Sequence, residues 1–374
     1  MKMPDLPEVL VDEILCRVPA TSLKKFRSTC QGWNLKIKDD RSFARKHSEI
    51  ASKQFLALKL TKDYRVCPIT VNLNGRSPSV EVKPELTLMD PRSNSQLEIY
   101  RVFHCDGLVL CNPKDSYRVV VWNPLTGETK WIESGGRCGL TFLLGYSRDS
   151  KSNSKIYKIM SCFLDTKESE IYEFNSDSWR MIDHDIAPGW GLAATFYTTV
   201  CSLKGNTYWF DRDETRIMSL LMFDFTLETC VSLPLPYKCN DYDTMNLSVV
   251  REEKLSVLLQ EDYRCNSEIW VTNKIDESTS VVSWTLLFVL DLSGIHISAF
   301  GSFLLEEKKK MVVWSEKWLD DRDEDMSKDM IYVLGENHEV TQVDTGTDTT
   351  TDVCSPAIFT YVPSLVQINP AGTN

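Results

Sequence analysis

The chain has 374 residues, of which 42% are hydrophobic and 25% charged, with a net charge of −11. Its 10 Trp, 15 Phe and 13 Tyr exclude disorder as the main state, because a chain that buries nothing does not carry so many rings. No apolar run approaches the ~18 residues that a membrane span needs, and the carboxylates inside MKMPDLPEVLVDEIL do not suit a secretory signal.

Charge is divided unevenly. Residues 1–50 hold 10 Lys/Arg against 7 Asp/Glu, a net of +3, which leaves −14 for the remainder. An acidic body argues against nucleic-acid binding, which needs a basic footprint. The 12 cysteines are scattered without a single CxxC pair, and the five histidines, at 47, 104, 184, 296 and 338, form no ligand pairs. These patterns predict reduced thiols in a cytoplasmic or nuclear protein with no metal and no cofactor.

Residues 5–48 have helical spacing. Leu6, Val9, Leu10, Ile14, Leu15 and Val18 recur on one face of a first helix, which Pro19 ends. Asp5 and Glu8 fit a capping box, with Pro7 in the first turn. Leu23, Phe26, Cys30, Trp33 and Ile37 make a seam on a second helix, and Phe43 falls on a short third. Three short helices make a small core that usually leans on a partner.

The string Leu6-Pro7-x-x-Leu10, Glu13-Ile14-Leu15, Arg17-Val18-Pro19, Ser22-Leu23, Phe26-Arg27-x-x-Cys30-x-x-Trp33, then Phe43, resembles an F-box over about 40 residues. The resemblance implies docking on the Skp-type adaptor of a cullin-based (SCF) ubiquitin ligase, and through it contact with cullin and a RING protein. The residues it assigns to adaptor docking are Leu6, Pro7, Leu10, Ile14, Leu15, Val18, Pro19, Leu23, Phe26, Cys30 and Trp33. Leu6, Pro7, Leu10, Ile14, Leu15 and Val18 offer a surface for a helix-in-groove partner, although some of them must pack within the trio.

From residue 51 to 374 the period changes. Apolar and aromatic runs of 5–8 residues, such as 107–111, 170–174, 220–225 and 330–334, alternate with turn clusters such as Asn123-Pro124-Leu125-Thr126-Gly127. This half is all-β. Aromatic hairpins recur at Trp122, Phe174, Phe225 and Trp270, at intervals of 52, 51 and 45 residues. That period suits four-stranded propeller blades. Units near 55–100, 101–134, 140–183, 196–235, 246–290 and 300–345 predict six blades, within a range of five to seven. The run 358–362 is placed to complete the first. A pair of β-sandwiches is the alternative. Asp106-Gly107-Leu108-Val109-Leu110-Cys111, Val121-Trp122-Asn123-Pro124-Leu125-Thr126-Gly127 and Gly145-Tyr146 resemble the plant F-box-associated domain, which is kelch-like. The division expected is therefore an F-box over 1–50 and a substrate-recognition propeller over 51–374.

The search for catalytic patterns finds neither a Gly-x-Ser-x-Gly elbow nor a Walker-type loop. His104-Cys105-Asp106 has the composition of a nucleophile cluster, but neighbours on a strand point to opposite faces. The acidic run Asp320 to Asp325 lacks the spacing of a calcium loop. The expectation is a non-catalytic adaptor that holds an unidentified protein substrate for ubiquitination and degradation. A propeller enzyme or small-ligand binder with an incidental helical cap is the alternative. Candidate substrate contacts are Arg137, Trp190, Asp211 and Arg212, on loops, with the 320–325 run beside them.

Overall fold

The computed structural model describes residues 7–18, 23, 26, 29–39, 42–43, 46–47, 57–61, 63–73, 78–114, 117–134, 140–163, 169–182, 199–213, 215–240, 244–261, 266–276, 281–292, 297, 301–320, 323–336, 340–348 and 357–368.

Helix α1 spans Glu8–Arg17 and α2 spans Gln31–Asp39. The capping-box expectation is corrected at α1. Pro7 is the N-cap residue, with extended backbone and no side-chain cap, and its carbonyl takes the Leu10 and Val11 N–H groups. The helix stops as expected, with Val18 extended before a proline. The single second helix expected from Leu23 to Ile37 is also corrected. Leu23 and Phe26 are helical, but Thr29 and Cys30 break the run before α2 begins. Cys30 Sγ accepts the Trp33 N–H at 3.4 Å, as an N-cap side chain would, and this local bond competes with helix continuation.

The β half is a ring of six four-stranded antiparallel blades. Blade 1 begins with β1 (Ala57–Leu60), β2 (Val66–Asn72) and β3 (Ser79–Val82). A small hairpin, β4 (Met89–Asp90) and β5 (Ser95–Gln96), follows. Blade 2 is β6 (Ile99–Cys105), β7 (Leu108–Pro113), β8 (Arg118–Trp122) and β9 (Thr129–Glu133). Blade 3 is β10 (Leu140–Arg148), β11 (Lys155–Phe163), β12 (Ser169–Glu173) and β13 (Ser178–Met181). Blade 4 is β14 (Cys201–Leu203), β15 (Asn206–Arg212), β16 (Ile217–Asp224) and β17 (Thr229–Leu233), with β18 (Cys239–Asn240) pairing onto β16. Blade 5 is β19 (Thr244–Val250), β20 (Lys254–Gln260), β21 (Asn266–Asp276) and β22 (Val281–Asp291). Blade 6 is β23 (Ser302–Glu306), β24 (Met311–Asp320), β25 (Asp323–Gly335) and β26 (Val340–Asp348).

The last strand, β27 (Ala357–Thr360), pairs antiparallel with β1 and supplies the inner strand of blade 1. Both ends of the β half thus build one blade, which closes the ring and removes the open sheet edge. The seam between blades 6 and 1 is apolar, with Leu304, Val313 and Val333 against Ala57, Ile69 and Ile358. One ion pair lies inside that seam. Lys59 Nζ is 3.3 Å from Asp329 Oδ2 and donates to Ser315 Oγ at 3.2 Å, with both charged side chains buried.

Close approach between blades 3 and 4 requires a glycine. A Cβ on Gly145 would stand 2.2 Å from the Phe225 ring and 2.4 Å from Gly205 O. The Gly205 carbonyl accepts the neighbouring Tyr146 N–H at 3.1 Å, so the two backbones touch. The β6–β7 turn needs positive φ at Asp106 (55°) and Gly107 (79°), where only glycine is free of strain at the second position.

Candidate functional site

Each blade starts at the axis, so the turns after β6, β10, β14, β19 and β23 share one face of the disc. The hairpin turn between β8 and β9, residues 123–128, lies there too. Segment 361–368 runs onto this face from β27. Asn123 is fully buried and organises the junction. Its amide Nδ2 donates to the carbonyls of Ser364 and Val366, both at 2.9 Å. Its Oδ1 accepts the N–H groups of Leu125 at 3.0 Å and Thr126 at 3.2 Å, which folds the turn on itself.

The helical segment rests on that junction. Leu15, Cys16, Leu23, Ile37 and Phe43 form one apolar cluster with Leu125 and Leu365 of the propeller. Val11, Val18, Phe26 and Trp33 pack around it, and the Phe26 and Trp33 rings stack at 5.6 Å. His47 is buried beneath, its Nε2 donating to Val18 O at 3.0 Å, and burial lowers its pKa.

What remains outside is an apolar ridge. Val9 is 77% exposed, Leu10 44%, Ile14 52% and Leu35 51%. The docking residues expected from sequence therefore separate. Pro7, Leu10, Ile14 and Cys30 are exposed, and Val18, Phe26 and Trp33 are half-buried. Leu15 and Leu23 are buried in the helical core, so Leu15 does not stand on the free surface expected of it. The i, i+4 geometry that puts Leu10 and Ile14 outward turns Leu15 inward, 100° around the helix. Leu6 and Pro19 lie outside the described residues.

The opposite face carries the connections between blades and the turns between middle strands. Asp211 and Arg212, at the end of β15, reach that face. Asp211 is buried and its carboxylate accepts the Arg212 N–H at 2.8 Å, so it supports the loop, whereas Arg212 is exposed. Arg137 and Trp190 lie outside the described residues, as do Asp321 and Arg322. The strand ends that flank these positions, Glu133 and Leu140, Met181 and Cys201, Asp320 and Asp323, all open on the face away from the helices.

On the axis, inner strands of all six blades line a cavity of about 200 Å³. His104 and Glu252 meet at its helix-side end, 4.0 Å apart. Burial lowers the His104 pKa to about 4, and burial followed by the Asp106 charge raises that of Glu252 to about 8. Lys155 Nζ donates to both Asp106 oxygens at 2.6 Å, and the Tyr157 hydroxyl also donates to Asp106. Burial pushes the Cys105 and Cys201 thiols well up, so neither is a thiolate nucleophile at neutral pH. Among the described residues no group of three His, Cys, Asp or Glu is arranged to hold a metal ion. Sequence reasoning missed Glu252, Leu125 and Leu365 as members of sites. The Asn-Pro-Leu-Thr-Gly turn was the available signal for Leu125.

These features define a class: a small helical module seated on the turn face of a six-bladed propeller. The family comparison agrees, with the F-box domain matching residues 3–45 and the F-box associated beta propeller domain matching residues 57–368. The chain belongs to the F-box proteins that carry an F-box-associated propeller. Its relatives in Arabidopsis thaliana include F-box protein ETP2, 50% identical over 99% of this chain and 97% of the relative. F-box/kelch-repeat protein At3g44120 is 49% identical over 100% and 98%, and F-box protein ETP1 is 45% identical over 100% and 98%.

Proposed function

We propose that the chain is the substrate-recognition subunit of an SCF-type ubiquitin ligase. Its F-box, within residues 1–50, docks a Skp-type adaptor and through it cullin and a RING protein. The propeller, within 51–374, presents a protein substrate, and the assembly works in the cytoplasm or nucleus. The chain supplies no chemistry of its own in this reading. It raises the effective concentration of substrate lysines at the ligase.

The observation that carries the proposal is the exposed ridge Val9, Leu10, Ile14 and Leu35 on an F-box whose core is otherwise closed. An apolar ridge of this kind suits a hydrophobic groove on a partner. Placing the substrate on the far face also suits the geometry. At ~3.3 Å per residue, the nine residues of β10 put roughly 30 Å between the two faces, so adaptor and substrate do not collide.

The test is adaptor capture by the full-length chain. Ile14→Asp or Leu10→Asp places a charge in a desolvated interface and should abolish capture, while the fold, read by circular dichroism, stays intact. Glu13→Gln, on the exposed side of α1, should change capture little. Unchanged capture by both Asp variants would refute the docking surface.

A further inference from the structure

The outer edge of blade 5 is long, nearly uncharged and flanked by aromatic rings. β22 is the last strand of its sheet, and among the described residues it pairs with β21 alone. At 11 residues it is the longest of the six outer strands, and Asp291 is its only charged residue. It therefore lacks the lysines and prolines that usually protect a sheet edge. Trp284 pairs with Thr272, Leu286 with Trp270 and Val289 with Glu268, with Leu287 as the bulge residue. Alternation then puts Glu268, Trp270, Trp284, Leu286 and Val289 on one side of the hairpin. Leu235 and Tyr237, from the connection after β17, pack with both tryptophans against the core shared by blades 4 and 5. The Tyr237 and Trp270 rings meet edge to face at 6.3 Å, and Trp284 Nε1 donates to Pro234 O at 2.9 Å. All three rings are half-buried, whereas Leu286 is 41% and Val289 38% exposed.

Glu268 stands in this groove, half-buried, without a cation. Its Oε2 accepts the Trp270 Nε1–H at 2.9 Å, and its charge, after burial, raises the pKa of the Tyr237 phenol. Among the described residues no Lys or Arg pairs with it. Lys238, beside Tyr237, is exposed and its charge acts on Asp213. A carboxylate has about four acceptor sites, so the indole leaves capacity for further donors.

We propose that this groove docks an extended, arginine-bearing segment of a partner protein, which pairs with the edge of β22 and lays its guanidinium on the tryptophan rings against Glu268. Main-chain pairing with an edge strand supplies affinity, and every second side chain of the added strand meets the groove. A planar guanidinium stacks on an aromatic ring and donates two hydrogen bonds to a carboxylate, which an ammonium on a flexible stem does less well. Trp, Tyr and Arg are also the residue types that dominate interface energies. Leu286 and Val289 give apolar contact to the neighbouring side chains of the segment. An acidic segment would meet the Glu268 charge. A second copy of this chain paired through β22 would bring another Glu268 and no cation, since β22 holds neither Lys nor Arg.

The surface goes beyond the adaptor reading and does not depend on it. Fluorescence anisotropy on the full-length chain tests it with a labelled peptide, Thr-Arg-Thr-Leu-Thr-Arg-Thr, whose two arginines and leucine share one side of a strand. The same peptide with glutamine for arginine is the neutral control. At ~0.15 M salt the Debye length is about 8 Å, so the net charge of −11 contributes little from beyond the groove. The expected result is binding of the arginine peptide and at least tenfold weaker binding of the glutamine peptide. Glu268→Gln should weaken the arginine peptide at least tenfold. Leu286→Lys, which sets a cation beside Trp270, should abolish its binding. Val281→Lys makes the same change of net charge at an exposed position on the other side of β22 and should leave binding unchanged. Thermal melts establish that each variant is folded. No binding of the arginine peptide at 1 mM, equal binding of the glutamine peptide, or an unaltered dissociation constant in folded Glu268→Gln or Leu286→Lys would each overturn the proposal. So would a dimer in sedimentation that Leu286→Lys dissolves, because a second copy would then hold the edge.

Discussion

Replacing Asn123 separates the two jobs that one buried amide performs. Its Nδ2 donates twice, to Ser364 O and Val366 O, and its Oδ1 accepts twice within the turn. Asn123→Ala removes all four bonds and strands two tail carbonyls and two turn N–H groups. At about 1 kcal/mol per hydrogen bond, and more where a buried partner is left unsatisfied, the loss is roughly 3–5 kcal/mol. Asn123→Asp keeps the acceptor half and turns the donor half into a carboxylate facing two carbonyls. It should cost at least as much as the alanine variant, because the repulsion adds to the lost donors. The assay is urea unfolding of the full-length chain, with limited proteolysis of segment 361–368 alongside. Both variants should lower the midpoint and make the tail cleavable. An aspartate variant as stable as the wild type would show that the tail bonds contribute nothing, and the junction argument would fail.

Three further outcomes follow from the packing. Gly145→Ala should destabilise by several kcal/mol, since its Cβ would meet the Phe225 ring at 2.2 Å and Gly205 O at 2.4 Å; a midpoint shift under 1 kcal/mol would mean that blades 3 and 4 part easily. Asp329→Ala should cost about 3–5 kcal/mol by leaving the Lys59 ammonium buried without its carboxylate, whereas Lys59→Met with Asp329→Leu should recover much of that in the same unfolding assay. Glu252, raised from 4.5 to about 8, holds a proton in the folded state that the unfolded state releases, so it lowers stability as pH climbs through that window, by on the order of 4 kcal/mol at most. His104, lowered from 6.5 to about 4, acts oppositely by costing stability as pH falls. Measured against pH, wild type should lose ground to Glu252→Gln between pH 5 and 8; parallel curves would contradict this.

The β architecture was legible because each blade repeats its pattern. Aromatic residues at Trp122, Phe174, Phe225 and Trp270 recur at one blade's spacing, and the strand at 358–362 had no partner left except the first unit. Glycines with a structural duty were also visible, as Asp106-Gly107 and Gly145-Tyr146 stand out as motifs. The break at Thr29–Cys30 was hidden because Leu23, Phe26, Cys30, Trp33 and Ile37 keep helical spacing straight across it. Periodicity reports which side of a segment is apolar and is blind to a thiol capping a new helix. The partition of Leu10 and Ile14 outward and Leu15 and Leu23 inward was also hidden, since all four are apolar. The covered face packs against Ile37 and Phe43 of the helical segment and against the propeller residues Leu125 and Leu365, far away in sequence. Glu252 escaped notice because an acidic residue in Arg251-Glu252-Glu253 reads as a solvated turn, and only the ring brings His104 to it.

Ring closure by β27 has a consequence for the order in which the protein comes into being. Ala57 pairs with Thr360, so blade 1 waits for about 300 further residues of synthesis. At ~5–20 residues per second this is roughly 15–60 s. During that interval β1 presents a bare edge and the seam around Ile69 and Val313 is open to water, an invitation to mispairing and to chaperones. Leu365, which completes the F-box cluster, emerges just after β27. A nascent or C-terminally clipped chain therefore lacks both the closed ring and the finished seat of its helices.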